Sequence, residues 1–160
     1  MSFEYFYEHG EANFGKPLQH EVSGGSHLTI ECIMHIGQTL YALRLPEGLH
    51  GDTKNALYFA HGLIRFGEKH PECVQRLVKD QAGVDVKRVQ THNLSTWVDD
   101  NDHWHMCLNT FAEIMEPPQV SVTVSEVVAF TSDNIPTDLA WWTVEEMRSI
   151  FDFLRRCYGH

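Results

Sequence analysis

The chain has 160 residues, 42% of them hydrophobic, 21% charged, and a formal net charge of −10 at pH 7. That length holds one domain with one substantial core. The acidic balance argues against a nucleic-acid polymer or anionic lipid as partner, and no apolar run approaches the roughly 20 residues that cross a bilayer. Taken in chain order, residues 1–27 form an N-terminal arm or edge strand in which Phe3, Tyr5 and Tyr7 alternate, ending at Ser23-Gly24-Gly25-Ser26. The remaining 28–160 read as the domain proper. Leu28–Ile36 and Thr39–Leu45 are strands joined by a turn at Gly37-Gln38, and Pro46-Glu47-Gly48 breaks the second. Ala56–Ala60 is a further strand, running into a loop that starts at His61-Gly62 and ends at Gly67-Glu68.

A helix follows. Pro71 suits its first turn and Gly83 its end, while Cys73, Val74, Leu77 and Val78 make one apolar stripe, with Glu72 and Arg76 as an i,i+4 pair outside it. Val84–Trp97 and His103–Ile114 are strands separated by the acidic turn Asp99-Asp100-Asn101-Asp102, and Val122–Phe130 is another. The run Leu139–Trp142 leads into Thr143-Val144-Glu145-Glu146, a capping box that opens a last helix reaching about Tyr158. Strands before, between and after two helices imply an α/β or α+β layered domain with a mixed sheet.

The first residues, Met1-Ser2-Phe3-Glu4, lack the basic stretch and apolar run of a signal peptide, which leads to the expectation of a cytoplasmic protein. Cys32, Cys73, Cys107 and Cys157 are scattered without C-x-x-C spacing, three of them in apolar patterns, so neither a disulfide framework nor a structural zinc cluster is expected. Eleven histidines let the charge vary between about pH 5 and 7.

From Gly62 to Val84 the spacing is glycine, five residues, Glu68, seven residues, Arg76, then Leu77-Val78-Lys79-Asp80-Gln81-Ala82-Gly83-Val84. This segment resembles, without a gap, the Nudix box G-x5-E-x7-R-E-U-x-E-E-x-G-U, in which U is a bulky aliphatic residue. Gly62, Glu68, Arg76, Val78, Gly83 and Val84 match outright. Tyr58-Phe59-Ala60-His61-Gly62 stands where the family has its W-x-L-P-G-G strand, and Trp141-Trp142-Thr143-Val144-Glu145-Glu146-Met147 resembles the entry to the family's last helix. The resemblance to the MutT-like Nudix hydrolases covers about residues 28–157 and implies an α/β/α sandwich around a mixed sheet.

In that family three glutamates at i, i+3 and i+4 on the helix hold magnesium or manganese and help activate a water against a pyrophosphate. Here those positions carry Leu77, Asp80 and Gln81, so one carboxylate survives on that face. Loss of the charge that recruits the metal weakens its Lewis-acid and water-activating roles together. Glu68, Glu72 and Glu126 are candidate replacement ligands beside Asp80. If activity remains, Glu68, Arg76 and Asp80 are the residues to carry it, whereas the plainer reading makes Arg76 a structural tie to Glu72 or Glu68 and Leu77 a packing residue. Tyr58, His61, Gly62 and Arg44 are candidate ligand contacts, His61 replacing a family glycine at the mouth of the pocket. His103 and His105 share one strand face, a spacing that suits a transition metal, or else they expose imidazoles while Trp104 is buried. Trp97, Trp104, Trp141 and Trp142 are candidates for stacking on a planar group as well as for the core.

Three functions follow. The favoured one is a Nudix-fold protein that binds a nucleotide, another phosphorylated small molecule or a protein partner, with hydrolysis lost or strongly impaired. The alternative is a magnesium- or manganese-dependent hydrolase of a nucleoside diphosphate derivative with rebuilt carboxylate ligands. A third is different chemistry using His61, His103 and His105. The aromatic arm suggests a homodimer.

Overall fold

The computed structural model describes residues 26–44, 55–65, 67–98 and 104–159. The aromatic arm before Ser26, the break at Pro46, the acidic turn at 99–102 and His103 lie outside the described residues. Within them the order is β1 (Ser26–Ile36), β2 (Thr39–Arg44), β3 (Leu57–Tyr58), β4 (Ala60–Leu63), α1 (His70–Ala82), β5 (Val86–Val98), β6 (Trp104–Ile114), β7 (Glu126–Phe130) and α2 (Val144–Tyr158).

All seven strands belong to one mixed sheet. Its axis is β1, which runs parallel to β6 over ten pairs from Ser26↔Trp104 to His35↔Glu113, while β4 lies antiparallel to it from Thr29↔Leu63 to Cys32↔Ala60. β5 continues the sheet beyond β6, and β2 carries β3 and β7. Because successive strand residues point to opposite faces, β1 feeds two cores. Ile30, Cys32 and Met34 pack with Cys73, Val74, Leu77 and Val78 of α1, whereas Ile33 packs with Phe59, Phe111, Phe130 and the α2 residues Met147, Ile150, Phe151 and Leu154. The result is the α/β/α sandwich. Every residue of the apolar stripe expected on the first helix is buried.

Both helices begin and end where local chemistry dictates. Thr143 Oγ1 accepts from the Glu146 N–H at 3.1 Å, and the Glu146 carboxylate accepts from the Thr143 N–H at 2.8 Å, which completes the expected capping box. Gly83 ends α1 at φ 73°, a left-handed conformation that other residues reach only with strain, and its N–H bonds the Lys79 carbonyl at 3.0 Å.

The structure differs from the sequence reading in four places. The strand expected at Ala56–Ala60 is two short strands, because the chain leaves β2 after Tyr58 and joins β1 from Ala60. His61 and Gly62 thereby lie in a strand rather than a loop. The strand before Phe130 starts at Glu126, after a turn in which Ser121 and Val124 bond one another's backbone. Leu139 forms a single bridge to Leu57 instead of a strand. Trp104 is exposed while His105 is half-buried and stacked on Trp97 at 5.1 Å, the reverse of the buried-tryptophan reading, because β6 begins at Trp104.

Cys32, Cys73 and Cys107 are buried free thiols and Cys157 is an exposed one. His35 and His92 pack edge-on against Phe111, and burial holds both imidazoles below their ordinary pKa. Among the described residues no helix is long and apolar enough to cross a membrane.

Candidate functional site

The loop between β4 and α1 is held by a compact ionic brace. Arg76 Nε donates to Glu68 Oε1 at 2.7 Å, and a second guanidinium nitrogen reaches Glu68 Oε2 and the Leu63 carbonyl, each at 3.0 Å. Glu68 Oε2 also accepts from the Arg65 N–H at 2.9 Å. Burial by itself would raise the Glu68 carboxyl, but the Arg76 guanidinium and the Arg65 N–H hold it below the usual range. Glu72, expected as an i,i+4 partner of Arg76, instead turns back to accept from the Lys69 N–H at 3.0 Å. The reason is local: at the third position of the helix its carboxylate satisfies an N–H that has no partner within the helix.

The other end of the box is held by an amide clasp. Gln81 Oε1 accepts from the His61 N–H at 3.0 Å and Gln81 Nε2 donates to the His61 carbonyl at 2.6 Å, so one side chain satisfies both backbone groups of a β4 residue. Only an amide does this, because a glutamate at the same place would set a carboxylate oxygen against the carbonyl oxygen. Two oxygens at that separation need a proton or cation between them; here an N–H takes that place. Gln81→Glu is therefore expected to lower stability by about 1–3 kcal/mol in urea unfolding, and an unchanged midpoint would contradict the clasp.

Leu77 occupies the position next along this face. It is buried with the α1 core, and a Cβ on Gly62 would stand 2.7 Å from its Cδ2. Gly62 is thus the close-approach residue that lets α1 seat against β4, with the Leu77 side chain filling the space beside it. Asp80 is exposed and lines an open surface depression with Pro71, Glu72, Gln75, Arg76, Lys79 and Asp85. Glu72 starts about 12 Å from Asp80 along the helix axis, and its carboxylate is drawn toward the N-terminus. Glu126 is drawn elsewhere again, to Arg44 Nε at 2.6 Å. Arg44 also meets Asp138 at 2.9 Å and the Asn55 carbonyl, so its guanidinium ties β2 to β7 and to the segment before Leu139.

These residues do not fit the divalent-metal site that the box implies. Leu77 offers no ligand atom, both polar ends of Gln81 are engaged, and Glu68, Glu72 and Glu126 each hold another partner. Among the described residues no three His, Cys, Asp or Glu side chains gather into a metal-holding group. His61 and His105 are separated by β1, since Glu31 pairs with His61 while His105 pairs with His27.

The structure does bring Tyr58 and His61 together, with Trp141. The Tyr58 and His61 rings lie 5.6 Å apart, and Trp141 stands edge-on to them at 5.2 and 4.9 Å. Trp141 is 67% exposed and holds φ 61°, a left-handed conformation that costs a bulky residue energy and that this aromatic packing offsets. His61 Nδ1 lies 2.8 Å from the Phe59 carbonyl, which assigns the donor proton to Nδ1.

Sequence reasoning missed the most unusual titratable group of this face. Glu31 of β1 is 5% exposed, lies in register with His61 on β4 and Asn109 on β6, and accepts from Trp142 Nε1 at 3.0 Å. Burial pushes its carboxyl up to about 8, with the Trp142 hydrogen bond opposing, so at pH 7 it is mostly the neutral acid. Asn109 is equally buried and donates to Asn93 at 2.7 Å and Ser95 at 2.9 Å. Its one trace in the sequence is that it is the single carboxylate of Leu28–Ile36, set between Ile30 and Cys32.

No family model and no curated protein matches the sequence. Solved structures do match. A MutT Nudix hydrolase from Burkholderia pseudomallei superposes with TM-score 0.65 and 12% identity over 78% of this chain and 98% of its own. A Nudix hydrolase from Nitrosomonas europaea gives 0.61 and 15% over 80% and 88%, and a MutT protein from Methanosarcina mazei gives 0.66 and 12% over 88% and 100%. At these identities the likeness concerns the fold, and on it the chain is a Nudix-type α/β/α sandwich around a mixed sheet.

Proposed function

We propose that this Nudix-fold chain binds a nucleotide or another phosphorylated small molecule and does not hydrolyse it by the divalent-metal route associated with the box. The Gln81 clasp carries this reading. A glutamine whose amide satisfies both backbone groups of His61 serves to join α1 to β4, and the same side chain cannot also present a charged oxygen to magnesium or manganese. Leu77, buried against Gly62, and the Arg76–Glu68 brace support it, because they too give the box a structural role. Tyr58, His61 and Trp141 are the proposed ligand face, with Gly62 and Arg44 holding the strands around it. A cytoplasmic, homodimeric protein is the setting proposed for it.

The test is incubation with Mg²⁺ or Mn²⁺ and a panel of nucleoside diphosphate derivatives, following phosphate and nucleotide release alongside thermal unfolding. The expected result is no turnover above the metal-only background and a raised unfolding temperature with at least one compound. Turnover that Asp80→Ala abolishes would overturn the reading in favour of a hydrolase with a rebuilt metal site.

A further inference from the structure

The C-terminal end of α2 is seated on the sheet by a few side chains. Phe153 stacks on Phe111 at 5.1 Å, the Tyr158 hydroxyl donates to Gln90 Oε1 at 2.9 Å, and the Arg88 guanidinium lies over the Tyr158 ring at 4.4 Å. Beneath this seat are two imidazoles. His35 of β1 is wholly buried, its ring 4.8 Å from that of Tyr158 and edge-on to Phe111. His92 of β5 is half-buried, its ring 4.8 Å from that of Phe153 and 5.2 Å from that of Phe111. His35 Nδ1 lies 3.0 Å from the Gly37 carbonyl and so carries the donor proton. His35 Nε2 and His92 Nδ1 are buried atoms without a hydrogen-bond partner among the described residues. An unpaired acceptor nitrogen among aromatic rings is a modest penalty. A proton added to His35 Nε2 makes a charged donor with nothing to accept it, and water reaches it only if the covering rings move.

We propose that His35 and His92 form an acid-sensitive latch for the C-terminal turn of α2: as neutral rings they let Phe153 and Tyr158 close over them, and once protonated they release that turn from β5. The rest of the helix stays on the sheet through Met147, Ile150, Phe151 and Leu154. The charges around His35 do not compensate a proton there. Glu113 stands in register on β6, but Lys87 Nζ at 3.3 Å and Arg88 Nε at 3.0 Å already engage it. Burial alone would raise the Glu113 carboxyl, and these two cations hold it below the usual range, so it is ionised and committed. Arg88 itself opposes a second positive charge beside Tyr158. From β2 the residue in register is the apolar Leu40. From α2 come Tyr158, whose phenol burial pushes up and out of this range, and Cys157, whose sulfur lies 3.9 Å from Gln90 Nε2, while the exposed Asp152 and Arg155 pair with each other at 3.5 Å. Around His92, β6 and α2 present Phe111 and Phe153, neither of which titrates. Burial holds both imidazoles below 6.5, so the closed turn is stable above 6.5 and loses that stability as pH falls through their closed-state values.

The experiment follows amide hydrogen exchange of the full chain by mass spectrometry from pH 7.5 to 4.5, corrected for the intrinsic pH dependence of exchange, in peptides covering α1 and α2. Protection of the last turn of α2 is expected to fall on acidification, by up to about tenfold per pH unit for each histidine between 6.5 and its closed-state value, while α1 keeps its protection. The double variant His35→Asn with His92→Phe, in which the asparagine amide can still donate to the Gly37 carbonyl and neither residue titrates, is expected to keep the turn protected at pH 5. Should that variant not fold, nuclear magnetic resonance on the wild type decides: the imidazole signals of His35 and His92 are expected to titrate over the same pH range in which the turn loses protection. Equal loss in wild type and the double variant would overturn the latch. So would protection lost from α1 together with α2, or imidazoles that become charged while the turn stays closed.

Discussion

Glu31→Gln is expected to unfold at higher denaturant than the wild type at pH 7 to 8 and at nearly the same denaturant at pH 4.5. The sign follows from the raised carboxyl. A group whose folded pKa lies above its unfolded value contributes stability below the unfolded value and loses it as pH rises through the folded one. For Glu31 that window runs from the ordinary 4.5 to about 8. Across it the unfolded chain ionises and gains solvation that the folded chain forgoes, whereas glutamine does not titrate. At pH 7 the difference is on the order of 3 kcal/mol in favour of the variant. His35 and His92 act in the opposite direction: burial holds both below 6.5, so their contribution is present above 6.5 and is lost as pH falls through their folded values. Chemical denaturation at several pH values measures the comparison. Parallel curves for wild type and Glu31→Gln between pH 5 and 8 would show that Glu31 is ionised in the folded chain.

The second large effect is expected at the brace. Glu68→Ala removes the carboxylate that accepts from two guanidinium nitrogens of Arg76, in a setting where the side chains of both partners are below one-sixth exposed, 15% for Arg76 and 12% for Glu68. Breaking such a pair by removing one member costs more than the pair itself is worth, about 3 kcal/mol here, because the remaining charge stays poorly solvated. Arg76→Met is expected to cost a similar amount, while the double variant Glu68→Leu with Arg76→Met recovers a good part of it. Additive losses in urea unfolding would mean that the two side chains act independently. Arg76→Lys is no rescue, since one ammonium cannot replace the paired contacts at 2.7 and 3.0 Å.

How much of this was legible beforehand differs with the range of the interaction. The two helices were readable because their signals are local: Pro71 and Gly83 bracket one, Thr143 and Glu146 open the other, and the stripe from Cys73 to Val78 has helical spacing. The brace was half-readable. Spacing allowed Arg76 either Glu72 or Glu68, and only the folded loop shows that Glu72 satisfies a helix terminus while Glu68 comes back from eight residues away. Arg44 stood out as a cation beside a proposed pocket, yet its partners Glu126 and Asp138 arrive from strands and segments over 80 residues distant, which no local pattern announces. Gln81 could be read as a lost charge but not as a clasp, since its partner is the backbone of His61 and a backbone leaves no trace in side-chain identity. Glu31 was hidden for a related reason. It becomes a buried acid only when β4, β6 and Trp142 close around it.

The central claim is that the amide of Gln81, rather than a divalent cation, joins the box helix to β4. Following the Gln81 side-chain amide and the His61 backbone amide by nuclear magnetic resonance during a titration with Mn²⁺ tests it most directly. Both resonances are expected to stay protected from hydrogen exchange and sharp through the titration, without saturable broadening at this end of α1. Saturable broadening centred on Gln81 and His61, with loss of their protection, would show that a metal enters the clasp and would contradict the account.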